Sequence, residues 1–211
     1  MSKVLELYKD ILESKQRFVD EVFDAEIYRS SVPQLTIIDL GAYEGEFSFY
    51  CFNFAKKIYA IEPDPRPYAI LEKRIKDYDL GNRIACFPIA ISDSKKERIF
   101  HASGYGGSRL LAENDAEYPG KEKMKVQSMS LADFMEENNI EYVDILKVDI
   151  EGGEDELFNG LEFAKVAHKI GTIVGEIHQG FEIQKSLEKY GFTYEPWDHG
   201  FTAKRVRIRQ V

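Results

Sequence analysis

Cysteine is scarce, with only Cys51 and Cys86 in 211 residues. Each lies inside an apolar run, at 49–54 and 84–91. Both read as small buried hydrophobes, so no disulfide framework and no zinc site is expected. Positive charge is short as well: Lys and Arg number 28 against 37 Asp and Glu, for a net charge of −9. Phosphate backbones reward basic surfaces, so a nucleic-acid partner is disfavoured. A basic cluster does exist at Lys204, Arg205, Arg207 and Arg209, but its alternation is that of a strand with one solvated face. No uncharged stretch reaches transmembrane length, and residues 1–20 contain no apolar h-region. Neither a membrane partner nor a secretory signal is therefore expected, and a cytoplasmic location is the default. Internal repeats and low-complexity tracts are absent too.

What is present is ordinary for one folded domain. Apolar residues make up 44% and charged residues 31%, enough apolar surface for a single sizeable core. Val4, Leu5, Tyr8, Ile11 and Leu12, then Phe18, Val22 and Phe23, recur at helical spacing. Residues 1–32 thus read as an N-terminal helical extension, placed to cover a pocket or to mediate a homo-oligomer. Ser31-Val32-Pro33 breaks the pattern, and residues 33–211 form the main domain. There strands alternate with helices. Strands are expected at 35–40, 57–61, 83–91, 97–101, 125–129, 142–150, 169–177, 192–197 and 203–210. Helices are expected at 44–54, 65–78, 130–138, 154–159 and 183–190. Ser130 is the expected N-cap of its helix, with Asp133 completing a form of capping box. The pattern implies an α/β, doubly wound, mostly parallel sheet, with a terminal hairpin adding an antiparallel edge strand. Residues 102–123, rich in Gly, Ser and charge, read as a binding loop or lid. Ligands of such sheets bind beyond the carboxyl ends of the strands.

Chemistry-bearing residues gather at those ends. After the first strand, Asp39-Leu40-Gly41-Ala42-Tyr43-Glu44-Gly45 makes a glycine turn that a ligand can approach closely. After the second, Glu62-Pro63-Asp64 puts an acid 21 residues beyond Gly41, where it can accept hydrogen bonds from ribose hydroxyls. Gly41 and Gly45 lack the G-x-G-x-x-G spacing of a pyrophosphate turn. Glu44 and Glu46 beside them repel phosphate and suit a phosphate-free, sulfonium-bearing cofactor. After the fourth helix-flanked strand, Lys147, Asp149 and Glu151 share a side, either as a site or as an ion pair pinning the strand end. His178 follows the next strand on the same face as Glu176 and is a candidate general base. Asp149, Glu151 and Glu176 are oxygen donors of the kind hard cations favour, but no tight ligand spacing enforces a metal, and none is expected. Trp197, Tyr43, Tyr105 and Tyr118 are candidates to line an acceptor pocket.

The segments Asp39-x-Gly41-Ala42-x-x-Gly45, Glu62-Pro63-x-Pro65 and Leu146-Lys147-Val148-Asp149-Ile150-Glu151-Gly152-x-Glu154 together resemble the FkbM family of methyltransferases. The likeness runs over about residues 35–178, and the last segment is its most specific part. The resemblance implies a class I methyltransferase (Rossmann-like) fold, with a seven-stranded sheet whose last strand is antiparallel. It also implies S-adenosyl-L-methionine as cofactor and O-methylation of a hydroxyl on a sugar or natural product. Carried over, Asp39, Gly41 and Gly45, with Ala42 in the same turn, border the methionine moiety. Glu62, followed by Pro63, takes the ribose, and Asp93 lies beside adenine. Asp149 faces the cofactor, with Asp149, Glu151 and His178 as the catalytic candidates. Ser108 matches a serine expected near the ligand. Tyr43-Glu44 departs from the small or amide residues common at those positions. Two other readings are a nicotinamide-dependent oxidoreductase and a non-catalytic S-adenosylmethionine-binding module.

Overall fold

Leu35–Leu40 is a short apolar run with Asp39 near its end, and it forms β1 in the interior of a sheet. Its neighbours on either side are β2 (Ala55–Ile61) and β8 (Val143–Val148), both parallel to it. Alternate residues of β1 feed two cores. Ile38 and Leu40 pack with Leu146, Val148, Phe134 and Phe158 on one face. Ile37 packs with Phe47, Phe49, Ile58 and Leu71 on the other. A strand covered on both faces must be apolar throughout, which is why the sequence shows a run rather than an alternation. The computed structural model describes residues 34–103, 107–111, 122–176, 178, 183–197 and 200–206. The N-terminal helical extension at 1–32 and its boundary with the main domain lie outside the described residues.

The covering helices are short. α1 (Glu46–Cys51) and α2 (Pro65–Asp77) follow β1 and β2, and α3 (Leu131–Glu137) precedes β8. α4 (Glu154–Asn159) and α5 (Leu161–Val166) lie between β8 and β9 (Ile170–Glu176). α6 (Gln184–Lys189) leads to β10 (Phe192–Trp197) and β11 (Gly200–Arg205). Asp64 caps α2, accepting from Arg66 N at 3.1 Å, and Pro65 fills the first position, where a missing N–H does no harm. Ser130 caps α3 as expected, accepting from Asp133 N at 3.0 Å. Asp133 does not complete a capping box, because its carboxylate takes the Ser130 hydroxyl at 2.8 Å instead. Helix α5 was not foreseen.

The seven-stranded sheet has the order β10-β11-β9-β8-β1-β2-β3, where β3 is Ile84–Phe87. β11 runs antiparallel to both of its neighbours. The expected class, a mostly parallel doubly wound sheet with an antiparallel last strand, is therefore the observed one. Its position differs from expectation, since the last strand inserts between β9 and β10 and leaves β10 at the edge. A second correction concerns residues 83–91. They form two strands, β3 and β4 (Ala90–Ser92), which belong to different sheets. Pro88 stands between them, and a proline has no N–H to continue a ladder. β4 joins β5 (Lys96–Ala102), β6 (Arg109–Leu110) and β7 (Glu122–Ser130) in a four-stranded sheet of order β4-β7-β5-β6. It has its own small core of Ala90, Phe100, Ala102 and Val126.

Cys51 and Cys86 are both free thiols, Cys51 fully buried. Arg205 accounts for part of the basic C-terminal cluster. Its guanidinium donates to Ile170 O at 2.9 Å, Tyr190 O at 3.0 Å and Ala167 O, and lies over the Phe192 ring. It ties β11 to its neighbours rather than offering a free cation. Arg207 and Arg209 lie outside the described residues. Among the described residues no helix is long and apolar enough to cross a membrane.

Candidate active site

The glycine turn and the end of β8 fit against each other with no room to spare. Gly41 has φ +73°, and a Cβ placed there would stand 1.8 Å from the Asp149 carbonyl oxygen. Only glycine satisfies both demands. Pairing of β1 with β8 sets Asp39 opposite Lys147. The Lys147 ammonium donates to Gly41 O at 2.7 Å and lies 3.5 Å from Asp39 and 3.4 Å from Asp149. Burial opposes its charge, but Asp149 and Asp39 outweigh that and raise its pKa. Asp39 is wholly buried, with its other oxygen taking the Ser48 hydroxyl at 2.7 Å. The pair thus pins the turn to the strand, as the ion-pair reading of Lys147 anticipated, with Asp39 as a partner not foreseen there.

At the end of β2 the Glu62 carboxylate is fixed at both oxygens. Oε1 accepts from Asp64 N at 2.7 Å and Oε2 from Tyr43 N at 2.9 Å. Tyr43 has φ +50°, a left-handed conformation that small and amide residues enter more readily, and this is one of the two positions where the chain departs from its resemblance. Burial raises the Glu62 pKa to about 7, against the two backbone donors that lower it. Beside it, Asp64 accepts the Ser108 hydroxyl at 2.8 Å, joining the end of β2 to the β5–β6 region.

Beyond β8 the chain turns sharply. Glu151 adopts φ +55° and Gly152 φ +104°, so Glu151 leaves the strand yet stays near Asp149. Its Oε1 accepts from Gly107 N at 2.7 Å. His178 donates from Nδ1 to Glu154 Oε1 at 3.0 Å, while Nε2 faces Glu151 at 3.5 Å and Asp149 at 3.9 Å. The bond to Glu154 leads the effects that raise the imidazole pKa to about 9, with Glu151 and Asp149 adding to it and partial burial opposing. The carboxylates around His178 favour its protonated form, whereas a general base acts from the neutral one.

Several of these groups border a cavity of about 330 Å³, within the range of small-molecule sites. Gly41, Ala42, Glu62, Pro63, Asp149 and Glu151 line it, as do Tyr43, Ser108 and Glu176. Asp39, Gly45 and His178 are not among its lining residues. Gly45 instead serves the start of α1 at φ +97°, with Phe49 and Leu71 against it. Asp93 is apart from the cavity. It is exposed, and its carboxylate is engaged by Ser94, Lys96 and Arg98. Trp197 does not line the cavity either, and Tyr105 and Tyr118 lie outside the described residues. The model of the methyltransferase FkbM domain matches residues 39–197.

The chain belongs to the FkbM methyltransferase family.

Membership makes it a methyltransferase domain with S-adenosylmethionine as its cofactor. A solved FkbM methyltransferase from Methylobacillus flagellatus superposes with a TM-score of 0.58 at 15% identity, over 86% of this chain and 46% of that one. Magnesium protoporphyrin IX methyltransferase from Synechocystis, solved with S-adenosylmethionine bound, gives 0.55 at 14% identity, over 98% of this chain and 85% of that one. The AMB antimetabolite synthetase AmbE of Pseudomonas aeruginosa is 26% identical over 76% of this chain, which spans 9% of that protein. The chain thus covers a small part of its curated relative and under half of the solved FkbM protein.

The FkbM crevice fits its cofactor by composition. Glu62 offers the lone pairs that its two backbone donors leave over, and carboxylates line the wall. The argument from Glu44 and Glu46 needs amendment, because Arg74 lies 3.0 Å from Glu44 and 3.9 Å from Glu46 and offsets their repulsion of phosphate. Sequence reasoning also missed Asp64, the apolar wall of Ile89, Phe100 and Leu110, and the bracing role of Glu154. An Asp directly before Pro65 at a helix start was the available signal for Asp64.

Proposed function

We propose that this FkbM domain catalyses O-methylation of a hydroxyl on a small molecule, a sugar or natural product. The observation that carries it is one cavity lined both by a Glu62 carboxylate suited to ribose hydroxyls and by Asp149 and Glu151. Bound there, the cofactor supplies a methyl group activated by a positively charged sulfur. Glu62 accepts from the ribose hydroxyls, while Gly41 and Ala42 leave room for the methionine end. Asp149 or Glu151 takes the acceptor's proton as its oxygen bonds to the methyl carbon and the carbon–sulfur bond breaks. His178, behind them, fixes their positions. The curated relative is named an antimetabolite synthetase, which supports a small-molecule acceptor. The use of Arg205 on backbone carbonyls and the acidic net charge support the absence of a nucleic-acid partner. Two free thiols suit a reducing, cytoplasmic compartment.

Calorimetry with S-adenosylmethionine, S-adenosylhomocysteine and NAD, followed by labelled methyl transfer to a panel of sugars and hydroxylated metabolites, tests the reading. Binding of the first two without NAD is expected, with transfer to a hydroxyl that falls about a hundredfold or more in Asp149→Asn. NAD binding alone supports the oxidoreductase. Cofactor binding with no transfer to any acceptor supports the non-catalytic module.

A further inference from the structure

Four carboxylates surround His178. Glu154 holds Nδ1 at 3.0 Å, and Nε2 is left facing Glu151 Oε2, Glu176 Oε2 and Asp149 Oδ1 at 3.5, 3.7 and 3.9 Å. None of these three contacts is a hydrogen bond, which for this pair of atoms lies nearer about 2.8 Å. They match the edges of a coordination shell instead, where ligands about 2.0–2.2 Å from an ion stand about 3–4 Å apart. Asp149, Glu151 and His178 each present one donor atom within 4.8 Å of the others.

Two further observations point to a cation. Glu154 is wholly buried, and its Oε1 takes His178 and, at 3.3 Å, Ile150 N. Among the described residues its Oε2 has no hydrogen-bond partner, and of the four carboxylates only Asp149 has a lysine, Lys147, within 4 Å. A carboxylate behind a histidine, gripping one ring nitrogen while the other faces oxygen donors, is also how metal-binding histidines are oriented. The cavity brings solvent and ligand to the same place, because Asp149, Glu151 and Glu176 all line it.

We propose that Asp149, Glu151 and His178 form a divalent-cation site on the cavity wall, with Glu176 as an additional ligand and Glu154 as the group that orients the imidazole. Carboxylate oxygens with one imidazole and no thiolate suit Mn²⁺ or Mg²⁺. An ammonium group on an acceptor, the competing cation, gains nothing from an imidazole nitrogen facing it. The ion takes the place of the Nε2 proton. Its use in the reaction rests on the methyl-transfer reading above. A cation there holds the acceptor hydroxyl beside the methyl donor and eases loss of its proton, which passes to a cavity carboxylate or to water. The oxygen–carbon bond then forms, and the electrons of the carbon–sulfur bond remain on sulfur.

The test is titration of the chelator-treated full chain with MnCl₂, following the free-ion paramagnetic resonance signal, with S-adenosylhomocysteine present and absent. One saturable Mn²⁺ site is expected. It should weaken at least about tenfold in Glu151→Gln and in His178→Ala, and about tenfold in Glu154→Gln. Calorimetric binding of S-adenosylhomocysteine should persist in Glu151→Gln, which shows that the pocket is intact. Absence of a saturable site in the unaltered chain under both conditions overturns the proposal, as does Mn²⁺ binding that Glu151→Gln and His178→Ala leave unchanged. If Mn²⁺ binds and S-adenosylhomocysteine does not, the metal site stands and the methyltransferase reading falls.

Discussion

Glu62 is held by two backbone N–H groups and still has lone pairs to give. Its substitution by Ala is expected to weaken S-adenosylhomocysteine about tenfold to a hundredfold, the worth of one or two charge-assisted hydrogen bonds, as calorimetry can measure. Its pKa, raised by burial to about 7, adds a pH dependence with a definite sign. Ribose hydroxyls donate best to the ionised carboxylate, so affinity should rise several-fold between about pH 6 and 8, and Glu62→Gln should flatten the curve. For folding the sign is opposite. The folded carboxyl binds its proton more tightly than the unfolded one. Its contribution is thus fully present below the unfolded value, near pH 4.5, and is lost as pH rises through about 7. Glu62 was legible from its spacing after Gly41, because a strand–helix–strand unit has a nearly fixed length. Asp64–Ser108 was not legible as a contact, since its partners lie 44 residues apart and no periodicity joins them. Asp93 illustrates the converse. Its position at a strand end was correct, but that strand belongs to the second sheet, and the side chain turns to Lys96 and Arg98.

Elements in this fold are short, and their ends carry the function. Gly41→Ala should separate β1 from β8, because its Cβ would meet the Asp149 carbonyl at 1.8 Å on a left-handed backbone. A loss of about 3 kcal/mol is expected from overpacking and strain together, visible as a lower melting temperature and lost cofactor binding. Ser130→Ala is the control. It removes the cap of α3, whose serine does not itself line the cavity, and should lower stability by about 1 kcal/mol while leaving cofactor affinity unchanged. The helices were legible where a cap or proline marked them, as at Asp64-Pro65 and Ser130. Helix α4 matched its expected bounds, since Gly153 and Gly160 bracket it. The small second sheet was not, although two of its strands were. Strand pairing is a choice among distant partners, and only Pro88 hinted that residues 83–91 could not be one strand.

At the scale of the whole domain, acidic charge is concentrated on the cavity. Glu46, Glu62, Asp64, Asp149, Glu151 and Glu176 line it, against Lys147. S-adenosylmethionine and its demethylated product differ by one positive charge at sulfur. The methylated form should therefore lose more affinity between about 0.05 and 0.5 M salt than S-adenosylhomocysteine does, in parallel calorimetric titrations. A matching loss for both would place the acidic lining away from the sulfur. The α/β class followed from alternation alone, which reports how many layers cover a sheet. The order of strands within that sheet did not, because apolar residues do not record which neighbour they meet.

That order has a consequence for how the chain is made. β9 leaves the ribosome with an open edge, and its neighbour there, β11, comes after β10 in the chain. β10 is made first and runs in the same direction as β9, but it is not the partner. That edge of β9 has no partner until residues 200–205 are made and can pair antiparallel to it. Any pause before that point exposes β9 to the wrong strand, from this chain or another.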